Sequence, residues 1–225
     1  SYFKVGQGFH TNDSRLIITS QANAIPKAYS TDAGFVWKTT PKLLLGLDLW
    51  AMLSEQEFVY VGDAGIVEPS GKTKRMGVEI GARYQPLDWL YIYSDANYTH
   101  ARSTEAVEGE DFIPLAPDFT MAGGITLGEG QGFSGGLNYR YIDDRPANED
   151  NSIIADGYFV SDFNINYKMK DITFGVAVEN IFDVAWNETQ FATESRLQNE
   201  PASVEEIHFT PGTPFFAKAS ITYQF

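Results

Sequence analysis

From Phe215 to Phe225 apolar and polar positions alternate with a period of two: Phe215, Ala217, Ala219, Ile221, Tyr223 and Phe225 fall on one side, Phe216, Lys218, Ser220, Thr222 and Gln224 on the other. Successive strand side chains point to opposite faces, so this stretch is a β-strand with one face fit for an apolar medium. The same split runs through Phe159–Tyr167, Phe133–Tyr141, Met76–Tyr84, Leu43–Ser54 and Leu90–His100, with charges such as Asp48, Glu79, Asp95, Arg140 and Asp162 confined to the polar side. Ser94 is the weak point of the apolar face. Less regular alternation adds strands over Tyr2–Phe9, Tyr29–Lys38, Phe119–Leu127 and Ile172–Glu179, ten in all.

The connections between these strands alternate as sharply as the residues within them. Thr39–Lys42, Pro86–Trp89, Gly128–Gln131 and Lys168–Asp171 are tight, whereas His10–Pro26, Val61–Lys72, Glu105–Pro117, Asp143–Gly157 and Asp183–Pro214 are long and polar. Strands of about ten residues, short turns on one rim and long loops on the other are the pattern of an outer-membrane barrel. Trp37, Tyr84, Tyr141 and Tyr167 stand near the ends of apolar faces, where aromatic girdles meet lipid headgroups. A soluble sandwich or propeller would also alternate, but its strands are shorter, about 5–6 residues, and a propeller would repeat every 40 residues or so. The pattern therefore predicts an all-β, transmembrane antiparallel β-barrel wall.

Composition narrows this further. No run of about 18 apolar residues is present, so a transmembrane helix is excluded. Tyr (12), Phe (16) and Gly (20) are plentiful, which suits strands and turns. With no cysteine, disulfides and thiolate metal sites are impossible, and a net charge of −14 argues against nucleic acid, whose phosphates it would repel. Ser1-Tyr-Phe-Lys-Val already reads as strand, so no signal peptide is expected here.

Val178-Glu-Asn-Ile-Phe-Asp183, followed by Trp186 and then by Phe209-Thr-Pro-Gly-Thr-Pro-Phe-Phe216, resembles the C-terminal part of the β-barrel of TonB-dependent outer-membrane receptors. In that family a penultimate strand enters an Asn-Leu-Phe-Asp box, and a Pro-Gly-x-Pro turn opens the closing strand; here Ile181 replaces Leu, and Trp186 stands where Tyr is commoner. Lys4–Asp13, Gly77-Val-Glu-Ile80 and Ile113-Pro-Leu-Ala-Pro117 resemble upstream boxes in the same order. The resemblance implies that residues 1–225 are one segment, about ten C-terminal strands of a 22-stranded barrel, with the plug domain absent from this chain. It implies uptake of a scarce nutrient (siderophore, metal, cobalamin or glycan) through a plug-gated barrel in the bacterial outer membrane, without catalysis or cofactor. The implied partners are the N-terminal strands and plug of the same protein, the inner-membrane energy transducer, outer-membrane lipid and lipopolysaccharide, and a small ligand. A self-contained ten-stranded pore or hydrolase barrel is the alternative reading.

Candidate residues follow from these placements. Asn180 and Asp183 sit where a strand leaves the sheet, so their side chains are expected to bond freed backbone groups. With Phe182, Pro211, Gly212 and Phe225 they form the expected structural motif. Ligand contacts are expected from the external loops, at Trp186, Phe191, Arg196, His208, Asp143, Asp144 and Arg145, where aromatics and arginine can stack on a solute. Acidic clusters at Asp143–Asp156 and Glu188–Glu206 offer oxygen ligands, but their spacing matches no calcium loop, and no metal is assigned. The histidines His10, His100 and His208 lie at strand ends, and His100 is followed by Ala101, Arg102 and Ser103 rather than by a lipase-like element. Arg83 and Arg140, with Glu79, Asp95 and Asp162, are expected to form a paired-charge lumen wall against the plug.

Overall fold

The computed structural model describes residues 1–9, 23, 25–56, 58–61, 66–69, 71–128 and 132–225, with 58–61 and 66–69 as backbone only. His10, the Asn12-Asp-Ser sequence and most of the first long connection lie outside the described residues. The strands in chain order are β1 (Tyr2–Phe9), β2 (Lys27–Thr40), β3 (Leu43–Ser54), β4 (Phe58–Val61), β5 (Ile66–Pro69), β6 (Thr73–Leu87), β7 (Leu90–Ser103) and β8 (Phe119–Leu127). They continue with β9 (Gly132–Ile142), β10 (Arg145–Pro146), β11 (Ile154–Ala155), β12 (Tyr158–Met169), β13 (Ile172–Glu179), β14 (Asn187–Ser195), β15 (Val204–Pro211) and β16 (Phe216–Tyr223).

Ten of these form a single antiparallel sheet in the order β1-β2-β3-β6-β7-β8-β9-β12-β13-β16, an up-and-down meander whose members are the ten strands read from alternation. Register keeps each face chemically pure. Leu49 pairs with Val78, and Val78 with Tyr98, on the apolar face. Gly34 pairs with Asp48, Asp48 with Glu79, and Glu79 with Asn97 on the polar face. A slip of one residue would exchange the two sets, so the pattern itself specifies the pairing.

The polar face is tied together across strands. Tyr2 Oη donates to Asp48 Oδ2 at 2.7 Å, Arg83 Nη2 donates to both oxygens of Asp95 at 2.8 Å, and Tyr93 Oη donates to Asn138 Oδ1 at 2.9 Å. On the apolar face the weak point Ser94 is compensated. Its hydroxyl meets Tyr139 Oη at 2.8 Å, and Tyr139 reaches it across Gly123, where a Cβ would lie 2.6 Å from that oxygen.

The sheet contains almost no core of its own. Leu49, Ile80 and Ile221 remain 52%, 54% and 73% exposed, an apolar surface far beyond what a monomer in water tolerates. Among the described residues the buried apolar ones are instead Ala101, Ile113, Ala147, Ala155, Val160 and Trp186, all at the rim that carries the long connections.

Those connections are more structured than their composition indicates. The stretch read as a polar loop from Asp183 to Pro214 contains the hairpin β14–β15, with a bulge between Asn187 and Thr189. Asp143–Gly157 contains the two-residue ladder β10–β11, and β4 pairs antiparallel with β5 between β3 and β6. At the opposite rim the turns are tight, with Lys170 in the left-handed region (φ 54°) between β12 and β13.

Candidate functional site

The loop-bearing rim is built around the Asn180–Asp183 box. Both ends of the box adopt left-handed backbone, φ 49° at each, a conformation that Asn and Asp tolerate better than other side-chain-bearing residues. Asn180 is 1% exposed. Its backbone N–H donates to Asp162 Oδ1 at 2.9 Å, its Oδ1 accepts from Val184 N at 2.9 Å, and its Nδ2 donates to the carbonyls of Val184 (2.8 Å) and Thr213 (3.1 Å). Asp183 Oδ1 accepts from Phe215 N at 3.0 Å, which fixes the entry of β16. The box thus splices β13 to β16 through side chains where ladder hydrogen bonds end. Phe182 between them is exposed, as is the terminal Phe225.

Trp186 is seated on this splice rather than projected into solvent. It is 9% exposed, its Nε1 donates to Thr213 O at 3.0 Å, and its carbonyl accepts from Gly212 N at 2.8 Å. A Cβ on Gly212 would overlap the indole, so Gly212 is required by close approach, and Pro211 ends β15 just before it. The other face of the indole looks toward the sheet. Tyr158 packs against it with centroids 4.7 Å apart, and the Arg140 guanidinium carbon lies 4.7 Å from the indole centroid and 5.8 Å from the Tyr158 ring.

A second set of contacts joins the connections to one another. Gln190 of β14 is 2% exposed and reads the backbone of Asp156 as a strand neighbour would, its Oε1 accepting from Asp156 N at 3.0 Å and its Nε2 donating to Asp156 O at 2.8 Å. Arg145 is buried, and its Nη1 donates to the same carbonyl at 3.2 Å. Burial pulls its guanidinium below the usual arginine value, against the opposing pull of Tyr158, Asp144 and Asp156. Asp144 Oδ1 accepts from Gly157 N at 2.7 Å, and Asp143 Oδ1 accepts from Tyr141 Oη at 3.0 Å and from Asp144 N at 3.1 Å. Leu115 N donates to Pro146 O at 2.7 Å and Phe112 N to Glu149 O at 3.1 Å, bringing the 104–118 connection onto the same cluster.

The remaining expected contacts lie farther out on the β14–β15 hairpin. Phe191 pairs with His208 across the ladder, and His208 Nε2 sits 3.0 Å from Ser195 Oγ and 3.8 Å from Glu206 Oε1. Arg196 Nε donates to Glu200 O at 2.9 Å in the hairpin tip. His100 is on the exposed apolar face of β7 opposite Met76. Among the described residues no group of three His, Asp or Glu side chains converges in a way that could hold a metal ion. Carboxylates of the outer connections serve local turns: Ser152 donates to Asp150 from its N–H and hydroxyl, and Lys72 pairs with Glu105 at 3.1 Å. These contacts hold Asp150 and Glu105 below the usual carboxylate range.

Residues that alternation did not single out are Gln190 and Tyr158. Gln190 carried no signal, because a polar residue in a polar stretch is indistinguishable from a solvated one until its partner backbone is placed. The expected paired-charge wall holds for Arg83 with Asp95, but Arg140 is held by rings instead of a carboxylate, and Asp162 is engaged with the Asn180 amide.

A one-sided antiparallel wall with tight turns on one rim and packed hairpins on the other defines the class, the wall of a transmembrane antiparallel β-barrel. The family profile described as "TonB dependent receptor-like, beta-barrel" matches residues 2–181, and the chain belongs to this family. Solved structures agree in fold: the ferric yersiniabactin uptake receptor FyuA from Yersinia pestis superposes with TM-score 0.71 at 14% identity, covering 99% of this chain and 34% of that one. The copper transporter OprC gives 0.72 at 16% identity (99% and 38%), and the ferric citrate transporter FecA in its unliganded form gives 0.68 at 19% identity (98% and 35%). This chain thus spans about a third of the length of those receptors. No curated protein sequence matches it.

Proposed function

We propose that this chain forms part of the barrel wall of an outer-membrane active-transport receptor, which takes up a scarce nutrient through a plug-gated lumen driven by the inner-membrane energy transducer. The observation that carries the reading is the family match over residues 2–181, with a sheet whose apolar face has no protein cover. Such a face requires lipid, and strands cross a bilayer only when every edge is paired. Among the described residues of the ten-stranded sheet, β1 pairs with β2 alone and β16 with β13 alone, which favours pairing with further strands of the same receptor over a self-contained ten-stranded barrel.

In this reading the polar face, with Asp48, Glu79 and the Arg83–Asp95 pair, meets the plug. The packed rim faces outward from the cell, with lipopolysaccharide around it. Phe191, Arg196 and His208 on the hairpin present the contact surface to a solute, Trp186 and Arg145 shape its base, and Asp143 and Asp144 hold the loop between them. The neighbours include an uptake receptor for ferric yersiniabactin, a copper transporter and a ferric citrate transporter, which supports a metal complex as cargo.

The test is uptake in a strain lacking the receptor gene, measured for labelled ferric siderophores, copper and cobalamin, with and without the energy transducer. The expected result is loss of one solute in the deletion strain and equal loss without the transducer. Transducer-independent entry through the receptor would favour a passive pore and overturn the reading.

A further inference from the structure

We propose that Arg140 is an anion contact for the incoming solute, reading a carboxylate or phosphate group at the outer end of the lumen wall; this rests on the transport reading above. An arginine on a polar sheet face ordinarily neutralises a carboxylate, as Arg83 does with Asp95 through two bonds of 2.8 Å. Arg140 does not. No carboxylate among the described residues forms an ion pair with it, and the carboxylate nearest in register, Asp162, accepts from the Asn180 amide.

What holds Arg140 is aromatic. Its guanidinium carbon is 4.7 Å from the Trp186 ring and 5.8 Å from that of Tyr158, and those rings pack on each other. Stacking occupies the face of a guanidinium and leaves its in-plane N–H groups free, the arrangement that presents a planar fork to a carboxylate or phosphate. Trp186 is itself fixed from behind by Gly212 and Thr213, so the fork is held in place before a ligand arrives. The side chain is exposed, on a concave surface of mixed lining whose polar members include Asp48, Glu79, Asp95, Asn97 and Thr120. Asp48 and Glu79 repel an anion from their part of this surface, and Arg83 is already paired with Asp95, so the contact available to an anion there is the Arg140 guanidinium.

The experiment uses the full-length receptor in detergent. Arginine modification by phenylglyoxal is followed at Arg140 by mass spectrometry, with and without citrate or inorganic phosphate. Citrate affinity is measured by calorimetry for wild type, Arg140→Gln and Arg140→Lys. The expected results are protection of Arg140 by at least one of the two anions, a loss of citrate affinity on the order of tenfold in Arg140→Gln, and a partial loss in Arg140→Lys, which keeps the charge but not the fork. Modification of Arg140 that neither anion slows, or equal citrate affinity in all three proteins, would overturn the proposal. So would a plug carboxylate found on the guanidinium in the full receptor. The protection measurement needs no variant to fold, and neither readout depends on energised uptake, so failure here is separable from failure of the transport reading.

Discussion

In the sheet, Leu49, Ile80 and Ile221 stand exposed on a face that no other described part of the chain covers, while at the loop-bearing rim Ala155, Asn180, Gln190 and Trp186 are sealed. The contrast shows that the two regions are held by different physics. The wall is specified by cross-strand ladders and a one-sided apolar face that awaits an apolar solvent. The rim carries its own core, in which polar side chains complete backbone hydrogen bonds that the ladders have let go. Burial within the chain therefore measures the stability of the rim and says little about the wall.

The comparison breaks most severely at Asn180. Asn180→Ala leaves Val184 N and the Val184 carbonyl without a partner, takes from the Thr213 carbonyl one of its two donors, and puts Ala in left-handed backbone. The expected cost is about 3–4 kcal/mol, read as a lower urea midpoint for the receptor folded into vesicles. On the wall, Ile80→Arg is expected to cost about 2–4 kcal/mol near the bilayer centre, whereas Asn97→Arg on the polar face of the neighbouring strand changes the same midpoint little. Gly212→Ala forces the Trp186 ring off its seat at about 1–3 kcal/mol, with a red shift of the indole emission. Gln190→Leu unties Asp156 while leaving the sheet intact: amide exchange at Asp156 accelerates by roughly ten- to a hundredfold, the 1–3 kcal/mol of an unsatisfied buried pair, and the global melting temperature stays put.

The smallest effect is in pH. Asp150 and Glu105 titrate below their ordinary values because Ser152 and Lys72 favour the charged forms. Their contribution is present above the ordinary carboxylate pKa and is lost as pH falls through the lowered folded value. Both are exposed, so the rim is expected to loosen slightly in acid, seen as faster amide exchange around Ser152 and Thr104, with the Lys72–Glu105 part weakened by salt.

How much of this was legible in the sequence follows the same division. All ten strands of the wall were readable, because a face that must meet lipid imposes its period on every second residue. The box at Asn180 and Asp183 was legible as side chains that bond freed backbone groups where a strand leaves the sheet, whereas the left-handed backbone at both was not. The hairpin β14–β15 was not: Glu188, Glu194, Glu205 and Glu206 swamp any apolar alternation, and its anchor, Gln190, acts through a backbone partner in another connection. Arg140 shows the same limit. Alternation put it on the polar face and offered Asp162 as partner, but the group that reaches it, Trp186, comes from a distant connection whose path depends on Gly212.

The central claim is that the two faces of this sheet meet two different media, and a nitroxide scan from Met76 to Tyr84 in the full receptor, reconstituted in vesicles, tests it most directly. The account predicts a period of two, with collision rates highest for oxygen at Met76, Val78, Ile80, Ala82 and Tyr84 and lower at the positions between them. A flat profile along the strand, or a water-soluble relaxer reaching Val78 and Ile80 as readily as oxygen does, would contradict it.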